Sequence, residues 1–289
     1  MNRLIAMSVA LLLALLALIV AKPHRRGDAA AVATGREPAG LEAKPIHEIR
    51  DRDIGGARQY LVSNLVAGPI EVECTLVWAV NVRSAPALPR HLVLGPRSEQ
   101  VITELHAIEP ARKASASVSC EAIVGDPGAH PAADRSYALP FPAGTRYTVD
   151  QGFDGRFSHD TRDSRYAIDF GVPEGTAVLA ARDGVVMQVE DDFRGSGTDA
   201  ARYGDRANYV RVVHDDGSMA VYAHLAPGSL LRRPGDHVVV GQLVGKSGNT
   251  GFSTGPHLHF SIQRNAGMAL ESIPFAIAGV DPRVVRGSP

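Results

Sequence analysis

Between residues 46 and 136 the chain alternates apolar and polar side chains. Ile70, Val72, Cys74, Leu76 and Trp78 share one parity, and Glu71, Glu73, Thr75 and Val77 the other. Successive side chains of a strand point to opposite faces, so this period of two predicts half-buried β-strand. Ala116, Val118, Cys120, Ala122 and Val124 repeat the pattern, and Tyr60–Val62 and His91–Leu94 are shorter strand candidates. Cys74 and Cys120 both fall on the apolar side of their strands. Two inward cysteines on facing sheets predict a disulfide in a core, with two buried thiols as the alternative. The region reads as an immunoglobulin-like β-sandwich by class. The antibody spacing of cysteine and tryptophan is not met, because Trp78 follows Cys74 so closely.

The turn residues Gly125–Pro131 mark a boundary. Beyond residue 137 short apolar runs alternate with Gly and Pro. Strands are predicted at 177–180, 184–189, 209–213, 219–222, 237–240 and 257–260. No long amphipathic helix competes, and residues 191–207 read as a long mobile loop of the kind that flanks clefts. The chain is therefore expected to be mainly β, a sandwich at 46–136 followed by a compact antiparallel domain at 137–280 and a tail at 281–289.

The N-terminus departs from this pattern. Arg3 is followed by an almost wholly apolar run over residues 4–21. It reads as an export signal or a retained membrane anchor, and either one places the rest outside the cytoplasm. Residues 22–45, rich in Ala, Gly, Pro and charge, read as a linker. Thirty basic residues against thirty-one acidic ones leave a net charge of -1. Such a balance points to no nucleic-acid partner and no acidic disorder.

Candidate chemistry gathers in the second half. In His257-Leu258-His259, a strand would set two imidazoles on one face and Leu258 on the other. A cation is one reason to hold such a pair; an exposed polar strand is the plain alternative. The Gly-rich turn at 247–256 lets backbone approach a cleft closely. Asp169 lies within the apolar run Tyr166–Phe170, where a charge needs a partner or a metal. His224 ends the apolar run before it, and could equally be a satisfied core histidine. His47-Glu48 lacks the second histidine of a His-Glu-x-x-His site. His24, His91, His106, His130, His214 and His237 read as surface residues.

Taken together, Ser158-His159, the stretch 169–186, Tyr222-Ala223-His224-Leu225 and the stretch 248–260 resemble the lysostaphin-type (LytM-type) zinc metalloendopeptidases of peptidoglycan. The resemblance spans about 145–265 and leaves the N-terminal half out. It implies a compact antiparallel β domain with a groove over one zinc ion. The ligands it implies are His159, Asp169 and His259, with a site left for water. His224 and His257 are its two non-ligand histidines. Many relatives space the first two ligands four residues apart, which would select Asp163. Asp169 is preferred because the segment after it is in register with the family, so a hairpin extension beside the site is expected.

A zinc peptidase needs a group to take a proton from water. With no suitable glutamate, a neutral imidazole is the natural base. His257 is assigned that role, and His224 the role of hydrogen-bonding the developing oxyanion, with exchange of the two left open. The implied function is cleavage of peptide bonds in cell-wall peptidoglycan by an exported enzyme. The alternatives are a non-catalytic regulator of other wall hydrolases and a wall-binding module built on the sandwich.

Overall fold

The computed structural model describes residues 44–132, 136–204 and 206–283. The apolar run at 4–21 and nearly all of the linker lie outside these residues, as does 284–289. The described chain is almost wholly β. Among the described residues no helix is long and apolar enough to cross a membrane.

Seven strands precede the boundary. They are β1 (His47–Asp53), β2 (Ala57–Asn64), β3 (Ile70–Val80), β4 (Val82–Ala85), β5 (Arg90–Leu94), β6 (Glu99–Ala107) and β7 (Ser115–Val124). One sheet has the order β1-β2-β6-β4 and the other β5-β3-β7. Val62 and Ile102 from the first share an apolar cluster with Ile70, Val72, Cys74, Leu94, Cys120 and Val124 from the second. His47-Glu48 sits on the charged edge strand β1.

Cys74 and Cys120 are bonded, with S–S 2.01 Å. The bond does not cross between facing sheets as expected. The two residues are direct partners on the adjacent strands β3 and β7 of one sheet. The alternation in β3 also breaks. The register shifts between Leu76 and Trp78, and Val77, Trp78, Ala79 and Val80 are all exposed, Trp78 by 50%. Both faces of this end of the strand are open to solvent.

The second half forms an eight-stranded sheet. Its strands are β8 (Thr148–Gln151), β9 (Ala167–Gly171), β10 (Gly184–Glu190), β11 (Tyr209–Val213), β12 (Met219–Ala223), β13 (His237–Val238), β14 (His257–Asn265) and β15 (Leu270–Ser272). The order is β13-β10-β11-β12-β14-β9-β8, with β15 beside β14. One face carries Phe170, Ile168, Val210, Val212, Ala220, Tyr222, Leu258, Phe260 and Ile262 into the core. The predicted strand at 237–240 ends after Val238, and Val239 and Val240 are exposed. The segment 191–207 holds a two-residue strand at Ser196–Gly197, paired in parallel with Gly251–Phe252, and one helical turn at Ala200–Tyr203. His214 is buried rather than exposed. It donates from Nδ1 to the Asp183 carbonyl at 2.7 Å and packs on the Tyr137 ring.

The two halves share apolar surface. Met187 of β10 and Met219 of β12 are fully buried in the cluster of the first half. Asn265 donates to buried Glu71 at 3.0 Å, and the Met268 backbone donates to the same carboxylate at 2.6 Å.

Candidate metal centre and groove

The core face of the large sheet leaves its other face to build a site. Asp169 on β9 and His259 on β14 are direct cross-strand partners, and Ala223 on β12 faces His259 from the other side. Leu258 and Phe260 point into the core, so His257 and His259 share the opposite face. Ile168 and Phe170 do the same for Asp169. His159 comes from the loop between β8 and β9. The Gly152 carbonyl receives its Nδ1 hydrogen at 2.8 Å.

Three donor atoms converge. His159 Nε2 lies 3.1 Å from Asp169 Oδ1, and His259 Nδ1 lies 2.9 Å from the same oxygen. Ligand atoms of His159, Asp169 and His259 all lie within 4.8 Å of one another. Two ligands on one tetrahedral zinc stand about 3.3 Å apart, given bonds of roughly 2.0–2.1 Å. With Nδ1–H donating to Gly152, Nε2 is the nitrogen that faces Asp169, and it would turn a lone pair to a cation once its proton is displaced. Two imidazole nitrogens and a carboxylate oxygen suit zinc, and this donor set fits it. Asp163 stays out of the cluster: it accepts from Thr161 Oγ1 at 2.7 Å within its own turn.

Burial works against charge on His159, but contact with Asp169 outweighs it and raises the imidazole pKa. Burial likewise works against the Asp169 carboxylate. Hydrogen bonds from His159 and His259 overcome that and hold it well below the usual range. A carboxylate held ionised this firmly is what a cation would meet, with the imidazole proton displaced on binding.

The other two histidines stand beside the cluster. His257 Nε2 is 3.9 Å from Asp169 Oδ1, and its Nδ1 donates to the Gly255 carbonyl at 2.8 Å. The His224 ring lies 4.5 Å from the His257 ring, centroid to centroid. His224 donates from Nδ1 to the Thr250 carbonyl at 2.6 Å. Burial, then the charges of His257 and His259, push its pKa down to about 3. The ring is thus neutral near pH 7 and offers Nε2 as an acceptor.

Residues not singled out from the sequence hold these groups. Gln151 donates to Asp169 Oδ2 at 3.1 Å and to Ser158 Oγ at 2.8 Å. His224 has φ +62°, a left-handed backbone unusual for a side-chain-bearing residue. Asn208 and Thr250 brace it: the Asn208 amide donates to Thr250 Oγ1 at 3.1 Å, and that hydroxyl donates to the Leu225 carbonyl at 2.9 Å. Gly251, at φ +85°, is required there, since a Cβ would come within 1.8 Å of the Arg206 carbonyl. An Asn before an apolar strand, as Asn208 stands before Tyr209, was the only signal in the sequence for this brace.

A groove of about 1010 Å³ passes over the cluster. Phe157, 55% exposed and stacked on Phe252, forms part of its rim. Arg211, Tyr209 and Leu270 also line it. Its lining comes from residues between 150 and 270, so the first seven strands supply no wall to it.

Fold and site define a β domain with a two-histidine, one-aspartate cluster that could hold a metal ion. Residues 163–271 match Peptidase family M23, so this segment is similar to the LytM-type, zinc-dependent peptidases. His159 lies just before the matched segment. The chain is 33% identical over 126 residues to the peptidoglycan DD-endopeptidase ShyA of Vibrio cholerae, covering 42% of this chain and 26% of that one. It is 32% identical over 127 residues to an uncharacterized metalloprotease of Buchnera aphidicola, covering 43% and 30%. Lysostaphin of Staphylococcus staphylolyticus is 32% identical over 114 residues, covering 38% and 21%. The chain therefore spans less than a third of the length of these relatives. Among solved structures, the catalytic domain of the prophage-encoded M23 protein EnpA from Enterococcus faecalis has 28% identity and a TM-score of 0.35, covering 47% of this chain and 93% of that one.

Proposed function

We propose that this protein is an exported zinc metalloendopeptidase that hydrolyses peptide bonds of bacterial peptidoglycan. The observation that carries the reading is the meeting of His159, Asp169 and His259 on the floor of an open groove, with two further imidazoles beside them. The relatives named as peptidoglycan and wall-lytic peptidases support the substrate class.

His159 Nε2, Asp169 Oδ1 and His259 Nδ1 would hold the zinc. The ion, when bound, would polarise the scissile carbonyl and make water nucleophilic near neutral pH. The protein's own groups do the rest. His257, anchored through Nδ1 to Gly255, offers Nε2 as the general base that takes the water proton and returns it to the leaving amine. His224, anchored to Thr250, accepts from the same water while neutral, and donates to the carbonyl oxygen only once protonated at Nε2. Gln151 keeps Asp169 oriented.

In this reading the run at 4–21 carries the protein out of the cytoplasm or tethers it. Residues 46–136 are an immunoglobulin-like accessory sandwich, clamped to the peptidase domain at 137–280 through Met187, Met219 and the Glu71–Asn265 contact.

The test is metal analysis of the purified chain combined with release of muropeptides from isolated peptidoglycan. About one zinc per chain and release abolished by chelation are expected. Stoichiometric zinc without release, or release that survives chelation, would sink the proposal. Absence of zinc would favour a non-catalytic regulator.

A further inference from the structure

Arg211 is a charged side chain with too few partners. It is 8% exposed, and its Nη1 donates to Gln263 Oε1 at 2.6 Å. Gln263 in turn is fixed by donating to the Asp163 carbonyl at 2.8 Å. Arg211 Nε is buried with no partner. Among the described residues no carboxylate stands within ion-pair distance of it. Asp163, the acidic side chain it feels, is taken up by Thr161 in its own turn. A buried guanidinium without a counter-charge is costly, and arginine does not escape the cost by losing its proton.

Register puts this residue on the groove side of the sheet. Arg211 faces Val221, and Val221 faces Ser261. On the same face, Tyr209 faces Ala223 and Ala223 faces His259. The two rows are thus consecutive, and successive same-face rows are about 7 Å apart. Ser261 is buried, and its hydroxyl has no partner either. Val221 and Ala223 are small or unbranched beyond Cβ, which leaves the space above them to the groove. Arg211, Val221, Ala223 and His259 all line it.

We propose that Arg211 is a specificity-determining residue that binds a free carboxylate of the substrate, a few ångströms along the bound peptide from the scissile bond. Nη2, the terminal nitrogen not engaged by Gln263, is the donor left to meet that carboxylate in a charge-assisted hydrogen bond. Gln263 orients that donor by holding Nη1. The preferred substrate is then an acidic cross-linked peptide, rather than one whose neighbouring carboxyl groups are amidated or a run of glycine. This deepens the peptidase reading and rests on it for the identity of the bound chain.

The test uses two synthetic cross-linked stem peptides that differ only in whether the carboxyl groups flanking the scissile bond are free or carboxamides. The wild-type chain should cleave the free-carboxyl peptide with a kcat/KM about tenfold to hundredfold higher, the size of a charged hydrogen-bonded pair. Most of the difference should lie in KM. R211M should bring the ratio of the two substrates close to one, and R211K should restore part of it. Calorimetry on chelator-treated wild-type protein should show the same preference in binding. Equal kcat/KM for both peptides with wild-type protein would overturn the carboxylate subsite while leaving the peptidase reading intact. Selective binding of the acidic peptide without cleavage of either would do the reverse. A ratio unchanged in R211M would overturn the role given to Arg211 and leave it a structural one. Should R211M fail to fold, the wild-type preference in binding still decides the question.

Discussion

His259 and Asp169 stand directly opposite each other on antiparallel neighbours, with Nδ1 2.9 Å from Oδ1. The pairing makes two of the three proposed ligands a property of sheet register. A slip of one residue would send both side chains into the core and bring Leu258 or Phe260 out. Asp169 and His259 are consequently as fixed as the sheet that carries them, while His159 is held from a loop by the Gly152 carbonyl.

Zinc content should respond in graded fashion to this arrangement. Asp169→Ala removes the atom shared by both imidazoles and should leave the purified chain without stoichiometric zinc. Gln151→Ala removes only the hydrogen bond to Oδ2 and should weaken zinc about 10–100-fold. Titration with a competing chelator measures both, and equal affinity in Gln151→Ala and wild type would refute the role given to Gln151.

Turnover and metal binding should separate at His224. His224→Ala should keep zinc and lose peptidoglycan hydrolysis. Thr250→Val strips the hydroxyl that meets the Asn208 amide and the Leu225 carbonyl. It should cost about 1–3 kcal/mol in urea unfolding and lower kcat while leaving zinc in place. Full turnover in His224→Ala would show that this imidazole takes no part.

Acid should destabilise the fold in a defined window. His224 is depressed to about 3 by burial and by the charges of His257 and His259. His214 is depressed by burial despite its bond to Asp183. Both are neutral when folded and titrate near the ordinary 6.5 when unfolded, so the unfolded chain binds more protons. Their contribution is present above pH 6.5 and lost as pH falls toward the folded values. His214→Gln should flatten the decline of the urea midpoint between about pH 6.5 and 4.5. An unchanged slope would mean that His214 titrates normally.

The cystine should matter to the first half and not to the groove. It closes a sequence separation of 46 residues, and losing it should cost roughly 3–4 kcal/mol by chain entropy. Cys74→Ser with Cys120→Ser should lower the unfolding midpoint, yet retain zinc, because the groove is lined from residues 150–270. Loss of zinc in that variant would reveal coupling through Met187 and Met219.

The sequence alone determined the β character and the shared face of His257 and His259. Both follow from a local period of two that acts within a few positions. It also singled out Asp169 over Asp163, through the register of the segment that follows. Tertiary structure decided what no local pattern encodes. Cys74 and Cys120 became partners within one sheet because β7 lies beside β3. Trp78 stands in solvent because β3 runs on to Val80 with both faces uncovered, which its alternation does not announce. His214 was buried by Tyr137, from far along the chain. Arg211 came to the groove face only because β12 and β14 set Val221 and Ser261 in its row. Strand order and register depend on which distant segments bury their apolar faces together, and that free energy belongs to the assembled core rather than to any one stretch of residues.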